Sequence, residues 1–245
     1  MSRAAGFATV AAPQLVPKKM PCRSAALVLA IGLASTAGAE EANLSGNPLG
    51  PAGAATRLVL ADALWRQGLV GGDALYLLSA IRLARSVALQ PAAGWERTRE
   101  GKAMPDAPPG RDGAPDPASD AALAILRNLA EENPALQDLV YDLDAQIPRQ
   151  AAATAVFATA DLAPGQTDTW RIVLFGEVAA ELALIGDGDS RLGLTLRDDS
   201  GAVICATPLS PDPALCRLTP AENGFFTLTV QGNGAAVNSY RLIAN

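Results

Sequence analysis

Hydrophobic spacing changes once along this chain, near Thr154, and that change restricts the folds open to it. Before it, apolar residues recur every three or four positions. After it, they alternate. The first period lays a stripe along a helix, and the second lays a face along a strand. A chain that uses the two in succession folds as α+β, with helices and strands segregated.

The alternating part is explicit. Trp170, Ile172 and Leu174 form one set, Leu182 and Leu184 another, Leu192, Leu194 and Leu196 a third, and Phe226, Leu228 and Val230 a fourth, with Tyr240 and Leu242 near the end. Gly, Pro, Asp and Asn separate the runs. Short alternating runs between turn signals predict an antiparallel, jelly-roll-like β-sandwich of seven to eight strands over 154–245.

The upstream part predicts a small all-α domain of about four helices over 54–148. Ala54 to Gly68 carries Leu58, Ala61, Leu64 and Trp65 at helical spacing, and Gly68 suits a left-handed C-cap. Asp73 N-caps a second helix that reads through Val87 to a stop at Pro91, with Leu75, Leu78, Ala80 and Leu83 along it. Ser119 caps a third. Asn133 and Pro134 open a fourth, which Pro148 ends. The expected buried set is Leu58, Leu64, Leu78, Leu83, Leu126, Leu129, Leu139 and Leu143. Residues 40–53 read as a loose arm. Residues 91–118 are rich in Pro, Gly, Ala and Asp, too poor in large apolar groups to offset their ordering entropy, and read as a flexible insertion.

Ser24 to Ala39 is uncharged and apolar, follows Lys18, Lys19 and Arg23, and ends in Ala37-Gly38-Ala39. A basic start, a short apolar run and an A-x-A site predict a signal peptide over 1–39, with Met20 as a second candidate start. The run is shorter than the roughly 20 residues needed to span a bilayer. The expected destination is the periplasm or the exterior. Of 19 basic and 25 acidic residues, Arg3, Lys18, Lys19 and Arg23 lie in the signal, leaving 15 basic against 25 acidic. Such an acidic chain is a poor nucleic-acid ligand and is repelled by anionic lipid. The expected partner is a protein or envelope component, with no transmembrane segment after cleavage.

Two cysteines remain, Cys205 and Cys216. In an exported chain they read as one bridge between adjacent antiparallel strands; the alternative is a pair of free thiols or half a metal site. There is no histidine, which removes histidine-based triads, general bases and zinc sites. The paired acids Glu131-Glu132, Asp142/Asp144 and Asp198-Asp199 read as solvated faces or turns. Asp187 and Asp189 in "GDGDS" are the one candidate calcium pair. They lack EF-hand spacing, and Arg191 sets a positive charge beside them. The expectation is therefore two separate turns, at Asp187–Ser190 and Asp198–Gly201, and no cofactor.

The stretches "DTWRIVLFGE", "GDGDSRLGLTLRDDSGAVI" and "PAENGFFTLTVQGNGAAVNSYRLIAN" together resemble the bacterial pre-peptidase C-terminal domain over 154–245. That resemblance implies a non-catalytic accessory sandwich of secreted proteins that in some members holds calcium near its acidic turn. Here Ser190, Arg191 and Gly193 interrupt that turn. The helical half matches no family. The sequence thus predicts a secreted, non-catalytic binding or accessory module of the cell envelope or exoproteome. The alternative is a glycan- or cell-wall-active enzyme with an unidentified carboxylate site.

Overall fold

Helical spacing, caps and turns produce four helices, and alternation produces two five-stranded sheets, in a computed structural model that describes residues 41–47, 49–110, 114–145 and 153–245. The predicted signal peptide and Pro148 lie outside the described residues. No described helix is long and apolar enough to cross a membrane.

Helix α1 spans Ala54–Gly71 and turns left-handed at Gly72, φ 62°. Gly68, expected as the cap, serves close packing instead: a Cβ there would sit 2.5 Å from Leu77 Cδ2. Helix α2 covers Ala74–Arg85, and the Asp73 carboxylate accepts the N–H groups of Leu75 and Tyr76. It ends earlier than the sequence predicts, because Ser86 turns its hydroxyl onto the Leu83 carbonyl at 2.7 Å. Val87–Pro91 then becomes strand β1. Helix α3, Asp120–Ala130, starts on Ser119 Oγ, which accepts Ala122 N–H. Helix α4, Pro134–Ala145, starts on Asn133 Oδ1, which accepts Leu136 N–H.

The helices share a core of Trp65, Leu77, Ile81, Leu123, Leu126 and Leu143. Leu129 and Leu139, expected inside, are 43% and 44% exposed. The buried face of α2 is Ala74, Leu77, Ala80, Ile81 and Ala84 rather than the stripe through Leu75. With Leu at four of the positions 75–83, period alone does not fix which face turns inward.

The strands from 153 onward are β3 (Ala153–Leu162), β4 (Thr167–Leu174), β5 (Ala180–Gly186), β6 (Leu192–Arg197), β7 (Val203–Ala206), β8 (Ala214–Leu218), β9 (Gly224–Gly232) and β10 (Asn238–Ala244). Two strands from upstream complete the sheets. β1 pairs in parallel with β3, and β2, Glu96–Glu100, pairs antiparallel with β4. The sheet orders are β1-β3-β10-β5-β8 and β2-β4-β9-β6-β7. The expectation of a flexible 91–118 is thus corrected for residues 91 and 96–100. Their polarity reflects an exposed edge strand, where charged residues are favoured because they block further pairing. Inward-facing Ile172, Leu182, Leu194, Phe226, Leu228 and Leu242 fill the sandwich.

A third apolar cluster joins the helices to the first sheet. Ala54, Leu58 and Ala61 of α1 and Ala84 of α2 pack on Ala183 and Ile185 of β5 and Ile243 of β10. Strand β5 is therefore covered on both faces, and Ala180 to Leu184 are all buried in succession. Burying side chains such as Leu58, Ile185 and Ile243 contributes about 2 kcal/mol each. Polar groups fix the docking. Glu181 Oε1 accepts Gly53 N–H at 2.8 Å, its Oε2 accepts Thr56 N–H at 2.9 Å, and Asn245 Oδ1 accepts Ala55 N–H at 2.8 Å. The first-turn amides of α1, which no residue of its own helix can satisfy, are capped by the sheet.

The stretch expected to be a loose arm is fastened as well. Asn43 N–H donates to Asp198 Oδ2 at 2.8 Å, and Arg217 Nη2 donates to the carbonyls of Gly50 and Pro51.

Cys205 and Cys216 form a disulfide, Cα–Cα 6.1 Å. The expected geometry is corrected. Cys205 lies on β7 and Cys216 on β8, the edge strands of different sheets. The bridge ties one sheet to the other rather than linking hydrogen-bonded neighbours.

Candidate functional site

Three carboxylates are buried in the described residues, and each is held by internal donors. Asp168, fully buried on β4, accepts Arg99 Nε at 2.6 Å, Arg99 Nη2 at 2.8 Å and the Tyr240 hydroxyl at 2.6 Å. Trp170 Nε1 donates to the Tyr240 oxygen at 2.9 Å. Burial pushes Asp168 up, but Arg99, Tyr240 and Arg97 outweigh it and hold the carboxyl below its usual range. Burial and the same carboxylate push the Tyr240 hydroxyl up. Glu181 is lowered in the same sense: burial opposes, and the amides of Gly53 and Thr56 with Arg217 prevail. Asp198 is lowered against burial by the Ser200 hydroxyl and by backbone N–H groups, including those of Asn43 and Ala202. These groups hold the fold together.

The residues singled out in the sequence fall in two places. Asp198 closes the turn before Gly201, which takes φ 86° and donates its N–H to the Asp198 carbonyl at 3.0 Å. Asp187 Oδ1 accepts Asp189 N–H at 3.0 Å, and its Oδ2 accepts Ser239 N–H at 2.7 Å, so the carboxylate locks its own turn to β10. No group of three or more His, Cys, Asp or Glu side chains able to hold a metal occurs among the described residues.

Asp187 also lines a cleft of about 470 Å³ between α1, residues 114–117 and the helix-facing side of the β3-β10-β5 sheet. Helical spacing puts Asp62, Trp65 and Arg66 on one side of α1. Strand register puts Ser239 opposite Asp161, with Arg241 one pleat further along the same face. Arg66 is the hinge of the cleft: its Nε donates to Asp62 at 2.6 Å, its Nη2 to the Gly186 carbonyl at 2.8 Å and its Nη1 to the Pro211 carbonyl at 3.1 Å. Arg241 pairs with Asp116. Ser239 Oγ donates to Asp161 Oδ1 at 2.7 Å. Burial pushes Asp62 above the usual carboxylate range, more than Arg66, whose charge is shared among three acceptors, pulls it down. The Trp65 indole N–H, fully buried, finds no acceptor among the described residues.

The cleft thus presents two guanidinium groups, four carboxylates and a serine in fixed positions. It offers donors and acceptors together, suited to a polar ligand. The Ser239–Asp161 contact does not make a nucleophile, because a carboxylate is too weak a base to activate a serine hydroxyl near neutral pH. Sequence reading missed Asp62, Arg66, Asp116, Asp161 and Arg241. Only the Asp62/Arg66 pair, four residues apart on a helix, left a local signal.

No protein-family model matches the chain, and no curated protein does either. Among solved structures, the mitogen derived from Yersinia pseudotuberculosis covers 37% of this chain and 84% of its own at 14% identity, with a TM-score of 0.26. The capsular polysaccharide assembling protein CapF from Staphylococcus aureus covers 51% of this chain and 40% of its own at 10% identity, with a TM-score of 0.22. Likenesses this low carry no argument about fold or function.

Proposed function

We propose that this chain is an exported, non-catalytic binding module of the cell envelope or exoproteome, which takes a polar envelope component in the cleft between α1 and the sheet. The observation that carries this reading is the pairing inside the cleft. Asp62 is held by Arg66, Asp116 by Arg241, Asp161 by Ser239, and Asp187 by two backbone amides. Groups already oriented by one another bind a ligand at little entropic cost, and none is set up as a nucleophile with its base. The basic-then-apolar N-terminal segment and the Cys205–Cys216 bridge support export. The resemblance of 154–245 to pre-peptidase C-terminal domains supports an accessory role.

One observation favours the second reading, a glycan-active enzyme. A carboxyl raised by burial, as Asp62 is, near a second carboxylate, Asp116, has the makings of a general acid. Co-sedimentation of the purified exported chain with isolated envelope material separates the two. The binding reading expects retention with no soluble fragments released. Release of fragments that stops in Asp62→Asn establishes the enzyme.

A further inference from the structure

The two edges of the sandwich are finished differently. At one, Cys205–Cys216 ties β7 to β8. At the other, β1 and β2 lie over each other in different sheets, and the chain crosses between them through Trp95, whose ring meets Trp170 edge-on at 6.2 Å. Strand β2 is short. Its pairing with β4 ends at Glu96–Arg171, so β4 from Ile172 to Leu174 has no neighbour on that side. The gap leaves the interior uncovered over about 10 Å of strand.

A cavity of about 490 Å³ opens there, between the sheets. Its walls include Trp95, Val156, Ile172, Leu174, Val178 and Ala180. The polar lining groups are the uncharged Gln90, Thr154 and Asn245, and no charged side chain lines it among the described residues. Three large apolar side chains stand exposed at its rim, Val173 at 47%, Phe175 at 63% and Val178 at 55%. A core residue has no reason to remain wet when the strand beside it could have been two residues longer. The size lies within the range of small-molecule sites, which are mostly apolar with a few placed polar groups.

We propose that this slot is a second binding site, separate from the polar cleft, and that it takes the hydrocarbon chain of a free single-chain amphiphile such as a fatty acid. A charged group inside would go unpaired at high cost, so the chain enters and a charged head stays at the mouth, beside Gln90 and Asn245. The acidic balance of the chain after the signal disfavours the alternative source, a membrane of anionic lipid.

Binding of dansyl-undecanoic acid to the purified chain, followed by dansyl emission, tests this. The exposed Ala179 lines the mouth, so Ala179→Trp occludes it without entering the core. The expected results are saturable binding, displacement by dodecanol, and affinity at least about tenfold weaker in Ala179→Trp. Arg241→Glu, in the polar cleft, leaves it unchanged. Three results would overturn the proposal: no saturable binding, equal binding by a folded Ala179→Trp variant, or displacement by naphthalene as effective as by dodecanol, which would mean a ring site. Sedimentation with neutral phosphatidylcholine vesicles at the same lipid concentration, in preference to the free acid, would assign the slot to a membrane and equally refute it.

Discussion

Glu181 Oε2 accepts the backbone N–H of Thr56 at 2.9 Å, a bond between the fourth layer of strand order and the first turn of the first helix. The same carboxylate accepts Gly53 N–H and Arg217 Nε, both within 2.9 Å. One buried side chain thus fixes the entry of α1, the arm before it and β8. Gly53 is the residue that lets the chain pass: a Cβ there would lie 2.5 Å from Asn245 Nδ2 and 2.9 Å from Glu181 Oε2.

Glu181→Ala leaves two helix amides and a guanidinium without their partner. It is expected to destabilise the fold by about 3 kcal/mol, the scale for breaking one side of a buried ion pair. Chemical denaturation measures this, and a loss under about 1 kcal/mol would show that the helix docks by apolar contact alone.

Acid should unfold the protein for a definite reason. Asp168, Glu181 and Asp198 all have carboxyls below their unfolded range. For such groups the unfolded chain binds protons first as pH falls, so their stabilisation is complete above about pH 5 and is lost progressively below about pH 4. Asp62, raised by burial, runs the other way and softens the fall. Thermal melts across this range should show stability dropping with acid, and Asp168→Asn should flatten the dependence while costing about 3 kcal/mol at neutral pH. A melting temperature that stays level down to pH 3 would contradict the assignment.

The bridge between sheets makes its own prediction. In the chain after signal cleavage, alkylation should find no free thiol before reduction and two after it, on Cys205 and Cys216. Reduction should cost about 3 kcal/mol, the loop-closure value for so short a loop.

Much of this architecture is readable from period and punctuation. The eight strands from 153 onward follow alternation, and Asp73, Ser119 and Asn133 announce their helices by side-chain chemistry alone. What is missed shares a cause. "ERTRE" in β2 has no buried residue and hence no alternation. Val87–Pro91 continues the apolar character of α2, and only Ser86 marks the break. The cleft collects residues 62, 116, 161, 187 and 241, which no local pattern connects. Strand β5 lost its alternation because α1 covers its outer face, a tertiary fact that appears in sequence only as an unbroken apolar run. The bridge was legible as a bond but not as a link between sheets.

Native-state trypsin digestion checks the reassigned segment. Arg97 and Arg99 lie on a paired strand, and Arg99 grips Asp168, so cleavage after either should be slow relative to exposed basic sites such as Arg127 on α3. Early fragments ending at Arg97 or Arg99 would restore the flexible insertion that composition suggests.

The central claim is binding without turnover at the cleft between α1 and the sheet, and charge reversal at Arg241 tests it most directly. Arg241 reaches into the cleft from β10 and pairs there with Asp116. Co-sedimentation of wild type and Arg241→Glu with envelope material should show retention of the first and at least about tenfold weaker retention of the second, with both melting cooperatively and neither releasing soluble products. Equal retention of a folded Arg241→Glu, or soluble fragments in the wild-type supernatant, would contradict it.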